Sequence, residues 1–407
     1  MRSFRLDVPQ ADLDDLARRL ARTRLPDELP GVGRDYGLER SVLEEALDHW
    51  RHRYDWRRFE ARVNGYEQWL VDTEAAGTIQ ALHAPSPHPG AVPLVLLHGW
   101  PGSICEFLDV IEPLRDPVAH GGDAADAFHV VVTSMPGYGF SGPTTRTGVH
   151  GYAVGDAVVE VMAALGYEHF VAQGGDWGSL VARRLGEAHP DHVIGAHFTM
   201  LFALPVDGVR SMDGVTPEEQ ARMARAALRT KDGIGYMVLQ GTKPHSLGPA
   251  QSDSPAGIAA WILEKFQAWS DLGDIDELDA LVASGDAATM GRRVVGRGRL
   301  DAVYTWDQLL DNVMCYWLPN TAQSSARLYF ESPRAGAGAT STWTGRVDVP
   351  TGHAVYPGEL LQTPRVWADA RYNIVHWTHQ PRGGHFAAFE QPALFTDDLR
   401  AFARLVR

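Results

Sequence analysis

The 407-residue chain is poor in cysteine, in lysine and in long apolar runs. Cys105 and Cys315 are its only cysteines. Neither lies in a CxxC pair or beside histidines, so the sequence offers neither a disulfide framework nor a zinc site, and both read as buried free thiols. No apolar stretch approaches the roughly 18 residues that a membrane helix needs. The opening MRSFRLDVPQADLDDLARRL carries charge every few residues and has no h-region, which excludes a secretory signal. A soluble, cytoplasmic protein without membrane contact is expected. Positive charge is also in deficit, with 37 Lys and Arg against 51 Asp and Glu for a net charge of −14. Nucleic acid and anionic lipid both need clustered cations, so neither is an expected partner.

What is present is ordinary for a globular protein: 44% hydrophobic and 22% charged residues, enough for a large core. Single cores stop growing beyond about 250–300 residues, so one large domain with an insertion, or two domains, is expected. Leu13, Leu16, Ala17 and Leu20 recur at helical spacing, as do Leu43, Ala46, Leu47 and Trp50, and Ser41 with Glu44 has capping-box spacing. Residues 1–65 thus read as an N-terminal helical segment packing on a core. Over 66–200, short β-branched runs end in glycine and lead into helical stretches: Leu94–Leu97, His129–Thr133 and Phe170–Ala172. That alternation predicts an α/β fold with a mainly parallel, doubly wound sheet, completed by strands at Arg346–Val349 and Ile374–Trp377 within 346–407. Residues 201–345 read as an inserted helical lid. In it Ser254-Pro255 starts a helix with Ile258, Trp261, Ile262, Phe266 and Trp269 largely on one face. Ala335–Thr340 reads as a mobile loop.

The most informative string is Gly174-Gly175-Asp176-Trp177-Gly178, at a strand end before a helix. It has the small-x-nucleophile-x-small form of a nucleophile elbow, with aspartate at the nucleophile position and no GxSxG elsewhere. Taken alone, Asp176 reads equally well as a helix N-cap. His98-Gly99-Trp100-Pro101 ends the earlier strand, where backbone N–H groups of Trp100 and Trp177 could converge on one oxygen as an oxyanion hole. An isolated string of that form is otherwise a tight turn, and His98 itself reads as structural. His385, in Arg382-Gly383-Gly384-His385-Phe386, sits where nucleophile, acid, histidine chain order places the base, although it is one of 17 histidines. The acid that orients it is Glu359 in preference to Asp348, which lies before or within the expected strand.

These strings together resemble the epoxide hydrolases of the microsomal type: HGWPGS at His98–Ser103, PGYGFS at Pro136–Ser141, GGDWGS at Gly174–Ser179, TKP…DSPAGIAAWILEKF across Thr242–Phe266, NVMCYW at Asn312–Trp317, and PRGGHFAAFEQP at Pro381–Pro392. The resemblance implies an α/β-hydrolase fold, a nucleophile at Asp176, an acid at Glu359 and a base at His385. It adds two lid tyrosines, Tyr236 and Tyr329, which sequence alone reads only as two of 12 tyrosines with buried rings. The chain departs from the family in two ways. The Glu359-to-His385 spacing is one residue shorter than in vertebrate members, and their membrane-anchoring helix is missing, from which a soluble protein is expected.

The activity implied is conversion of an epoxide and water to a vicinal diol, with no metal and no organic cofactor. Aspartate opens the epoxide as an alkyl ester, the phenols hydrogen-bond the nascent alkoxide, and histidine-activated water cleaves the ester. Trp261, Phe266 and Pro101 are expected at the substrate pocket, which would suit aromatic or bulky epoxides, although lid aromatics are core residues by default. A haloalkane dehalogenase uses the same aspartate and histidine with halide-binding donors in place of the tyrosines. A catalytically silent hydrolase fold is the remaining reading. The aromatic content suits a homodimer interface. The arginine skew, with lysine only at Lys231, Lys243 and Lys265, is that of a GC-rich bacterial gene, in which detoxification and natural-product biosynthesis are both open roles.

Overall fold

The computed structural model describes residues 1–205, 211–285, 295–336 and 345–407. Among the described residues nine strands form one sheet: β1 (Arg2–Phe4), β2 (Glu67–Thr73), β3 (Gly77–Ala84), β4 (Val92–Leu97), β5 (Phe128–Ser134), β6 (Phe170–Gly174), β7 (Val193–Phe198), β8 (Val347–Val355) and β9 (Tyr372–His379). Their order is β1-β2-β3-β5-β4-β6-β7-β8-β9. The first three pair antiparallel, and the run from β5 to β9 is parallel throughout. The four last residues of β4 and all of β6 are buried, as strands covered on both faces must be. The helices Gly151–Ala164 and Asp176–Ala188 pack on one another, and the terminal helix Pro392–Val406 lies on β7, β8 and β9.

The N-terminal segment contributes helices Gln10–Ala21, Arg40–His52 and Trp56–Val63, with Leu16, Leu20, Ala46, Leu47, Trp50 and Phe59 buried. Two details differ from the sequence reading. The segment also supplies β1, whose three residues are too few to show alternation. The second helix starts at Arg40 rather than being capped by Ser41. Its exposed first N–H donates to Glu28 at 2.9 Å, and Glu44 pairs with Arg40 instead of closing a capping box.

The segment between β7 and β8 is helical in its described parts. Ser254 Oγ accepts the Gly257 N–H at 3.0 Å, capping the helix Pro255–Trp269, a contribution of about 1 kcal/mol. Capping boxes start the helices Pro217–Lys231 and Trp306–Trp317. Tyr54 donates to Asp311 at 2.7 Å and Arg19 reaches Asp253 at 2.8 Å, so the N-terminal segment is joined to this helical layer. The expected mobile loop at Ala335–Thr340 falls mostly outside the described residues; Ala335 ends the helix Ala322–Arg334. Both cysteines are free and buried, their sulfurs 3.6 Å apart across the packing of residues 104–107 on the helix Trp306–Trp317. No helix among the described residues is long and apolar enough to cross a membrane.

Candidate active site

Parallel β4 and β6 end side by side, with Leu97 opposite Gly174, and their following loops meet at Asp176. Asp176 is the first residue of its helix, with φ +47, a left-handed conformation that costs a non-glycine residue about 1–3 kcal/mol. The N-cap is Gly175, not Asp176, so the carboxylate is free to face the neighbouring loop. Its Oδ1 accepts the Trp100 N–H at 2.8 Å. Glycine is required where the loops touch. A Cβ on Gly99 would sit 2.2 Å from that of Asp176, and one on Gly178 would lie 2.0 Å from the Leu97 carbonyl oxygen. The Trp177 N–H lies in the first helical turn, where helix geometry supplies no intrahelical acceptor.

His385 presents Nε2 to Asp176 Oδ2 at 3.5 Å and Nδ1 to Glu359 Oε1 at 2.8 Å. A carboxylate only accepts, so Nδ1 carries the proton and Nε2 faces Asp176. Burial alone would lower the imidazole pKa, but the Glu359 charge and the bonds to Asp176 and Glu359 outweigh it and hold His385 well above the ordinary value. Glu359 lies in the turn after β8, where Gly358 N–H donates to Gly383 O at 2.9 Å and ties the two loops together. Asp348, the alternative acid, is exposed and pairs with Arg346 at 2.7 Å. Glu390 braces the histidine loop from behind, accepting the N–H groups of Gly384 (2.8 Å), Phe386 (3.0 Å) and Asp271 (2.9 Å). Burial raises its pKa to about 7 despite those bonds.

Tyr236 and Tyr329 are brought together from separate lid helices, their ring centroids 5.7 Å apart at 80°. Tyr236 stacks on Trp100 at 4.7 Å, and Tyr329 meets Trp177 edge-on at 4.9 Å. Burial first, then negative charge at Asp176, raises the Tyr236 pKa; burial, then Tyr236 and Asp176, raises that of Tyr329. Both phenols therefore stay protonated through neutral pH and can donate. The Tyr329 hydroxyl is buried, with that of Tyr236 beside it.

The other residues expected at the pocket are placed differently from one another. Trp261 is half-buried, donates to Gln240 at 3.2 Å, and lines a groove with Tyr236 and Lys265 on the outer side of the tyrosine pair. Phe266 is fully buried and stacks on Phe386 at 4.0 Å, supporting the His385 loop from the lid's interior. Pro101 contributes its carbonyl, which accepts Asn312 Nδ2 at 2.8 Å. His98 donates from Nδ1 to the Gly99 carbonyl and accepts the Met135 N–H at Nε2, and burial lowers its pKa to about 4. It is a neutral strut between two loops.

Residues that the sequence reading did not single out complete the site. Asn312 bonds Ser103 Oγ at 2.7 Å as well as Pro101, and the Tyr316 hydroxyl donates to Gly102 O at 2.6 Å, so one lid helix holds the Trp100 loop in place. Both lie within NVMCYW, the only signal that could have found them. Among the described residues no group of three or more His, Cys, Asp or Glu side chains is arranged to hold a metal.

Comparison with known proteins bears on the family and the fold. Residues 1–107 match the family described as epoxide hydrolase N terminus, and residues 92–272 match the alpha/beta hydrolase fold. The chain is 41% identical over 405 residues to a Stigmatella aurantiaca protein provisionally described as an epoxide hydrolase, covering 99% of this chain and 85% of the relative. It is 33% identical over 430 residues to epoxide hydrolase 1 of Oryctolagus cuniculus, covering 100% and 89%. The crystal structure of juvenile hormone epoxide hydrolase from Bombyx mori superposes with a TM-score of 0.79 at 30% identity, covering 100% of this chain and 94% of that one.

Proposed function

The chain belongs to the epoxide hydrolase family, and from that premise we propose that it converts an apolar, aromatic or bulky epoxide to a vicinal diol through an alkyl ester on Asp176. The observation that carries the reading is the placing of one carboxylate between the Trp100 N–H at 2.8 Å and the His385 Nε2 at 3.5 Å, with two protonated phenols nearby. Asp176 Oδ2 attacks an epoxide carbon and the C–O bond of the ring breaks. Tyr236 and Tyr329 stabilise the oxygen as it becomes an alkoxide, which takes up a proton with the His385 imidazolium as the ultimate source. His385 is thereby neutral when the ester has formed, as a base must be. It then takes a proton from water as the water oxygen attacks Asp176 Cγ. The former Oδ1 carries the new negative charge, and the Trp100 and Trp177 N–H groups hold it.

The aromatic lining supports an apolar substrate. Trp100, Trp177, Tyr236, Trp269 and Tyr329 form a continuous set of ring contacts over the Trp100 and Trp177 loops, a surface that suits the apolar body of such a substrate. The test is turnover of styrene oxide by the wild-type chain and by Asp176→Asn. Diol formation that disappears in the folded variant is expected; full activity in Asp176→Asn removes Asp176 as the nucleophile.

A further inference from the structure

Behind Asp176 and His385, on β4 and β6 rather than among the tyrosines, lies a small cavity of about 20 Å³. It is lined by Asp176, His385, Gln173 and Glu106, with Gly102 and Phe107 alongside. A water molecule needs roughly 10–15 Å³ of such space and two to four polar partners, so this cavity suits one water and no organic substrate. Two of its polar groups have no other use. Gln173 Oε1 is buried without a hydrogen-bond partner among the described residues. No described residue hydrogen-bonds or ion-pairs the Glu106 carboxyl, whose neighbours act on it only through charge.

The backbone makes room for that carboxyl. A Cβ on Gly102 would fall 1.6 Å from Glu106 Oε1, so only glycine at this position lets the side chain lie where it does. Leaving an unpaired acid in a protein interior is costly, and replacing it with an apolar side chain would ordinarily stabilise the fold. A carboxyl kept there, facing a water-sized space shared with the nucleophile and the base, calls for a role in the reaction.

We propose that this cavity seats the hydrolytic water and that Glu106 is the catalytic residue that fixes it for attack on the Asp176 ester. The proposal rests on the ester mechanism given above. The water donates one O–H toward His385 Nε2 and the other toward the Glu106 carbonyl oxygen. As the water oxygen bonds to Asp176 Cγ, the first proton passes to Nε2, and the second stays on the new hydroxyl. Collapse breaks the bond from Cγ to the diol oxygen, and the departing alkoxide takes that second proton. Asp176 returns to carboxylate and His385 to imidazolium, with Glu106 unchanged. Burial, then the charges of Asp176, Glu390 and Glu359 against that of His385, raises the Glu106 pKa to about 8. In the free enzyme at neutral pH it is therefore mainly a protonated carboxyl, able to donate and accept toward a water in the cavity.

The test separates the two half-reactions in Glu106→Leu and in the near-isosteric Glu106→Gln, using excess enzyme and styrene oxide with rapid quench and intact-protein mass. Misplacing an attacking group by about 1 Å can cost 10²-fold. Glu106→Leu should form the ester within about threefold of the wild-type rate, hydrolyse it about 10²-fold more slowly, and accumulate it. Glu106→Gln keeps a carbonyl acceptor and an N–H donor and should recover most of the hydrolysis rate. Ester formed and cleaved at wild-type rates in Glu106→Leu overturns the proposal, as does equal slowing of both steps in both variants, which is the mark of a purely structural residue. If His385→Gln traps no ester under the same conditions, the ester mechanism fails, and the Glu106 role with it. The trap therefore tells the two failures apart.

Discussion

Replacing Glu359 by glutamine should slow ester hydrolysis about 10²- to 10³-fold while leaving ester formation nearly intact, and the local hydrogen bonding explains why. Glu359 Oε1 accepts both His385 Nδ1–H at 2.8 Å and the Leu360 N–H at 2.5 Å, whereas Oε2 has no partner among the described residues. An amide NH2 at the Oε1 position would face two donors, so glutamine must put its oxygen there and its nitrogen at the other. The imidazole tautomer is thus preserved, and the variant loses only the charge. Two unit charges 4 Å apart at an effective dielectric of 20 interact by about 4 kcal/mol. At about 1.4 kcal/mol per tenfold, that sets a ceiling near 10³. Both side chains are only 2% exposed, so solvent screening removes little of it. Glu359→Ala should lose more, on the order of 10⁴, because Nδ1–H is left unpartnered and the proton can move to Nε2. Single-turnover mass measurements of ester appearance and decay give both rates. Ester decay at the wild-type rate in Glu359→Gln would refute the reasoning, and so would a comparable loss in Asp348→Asn, whose side chain is exposed and paired with Arg346.

Other outcomes follow from the same geometry. Tyr236→Phe and Tyr329→Phe should each slow ester formation about 10²-fold, the usual loss for one donor to a developing oxyanion, and leave ester decay unchanged; stopped-flow tryptophan fluorescence checks this. Ester hydrolysis should rise with pH and then level off. Esterification removes the Asp176 charge that helps hold the His385 pKa up, so that pKa falls in the intermediate, and only the neutral imidazole accepts the water proton. A decay rate that falls with increasing pH contradicts that assignment. Gly99→Ala should lower the melting temperature, by overpacking of about 1–3 kcal/mol, and abolish ester formation, because its Cβ would lie on Asp176.

The parts of the site legible in the sequence are those whose geometry is local. The elbow around Asp176 is read from glycines one to two residues away, and the loop of His385 from its own glycines and its place after the last strand. Glu106 lies only three residues beyond the legible HGWPGS string, yet its importance depends on a cavity built jointly by β4, β6 and the His385 loop. Asn312, Tyr316 and Glu390 act through partners brought near by tertiary packing, which no spacing encodes. The same holds for the two sulfurs 3.6 Å apart, contributed by residues 210 positions from one another. In the fold, long buried strands such as β4 and β5 announce themselves by continuous apolar runs. β1, three residues held by pairing with β2, is created by its neighbour rather than by its own pattern.

The central claim is a covalent bond to Asp176, and His385→Gln tests it most directly: the displacement at carbon can still occur, with the alkoxide held by the tyrosines and protonated from solvent water instead of the imidazolium, whereas the base for the second step is gone. The variant is exposed in parallel to styrene oxide and to a chloroalkane, and intact and peptide masses are measured. The account predicts a gain equal to the whole epoxide, mapped to Asp176, with no adduct from the chloroalkane. A gain only from the chloroalkane, with release of chloride, would contradict it and make the chain a dehalogenase, and an epoxide adduct mapped to any other residue would remove Asp176 from the chemistry.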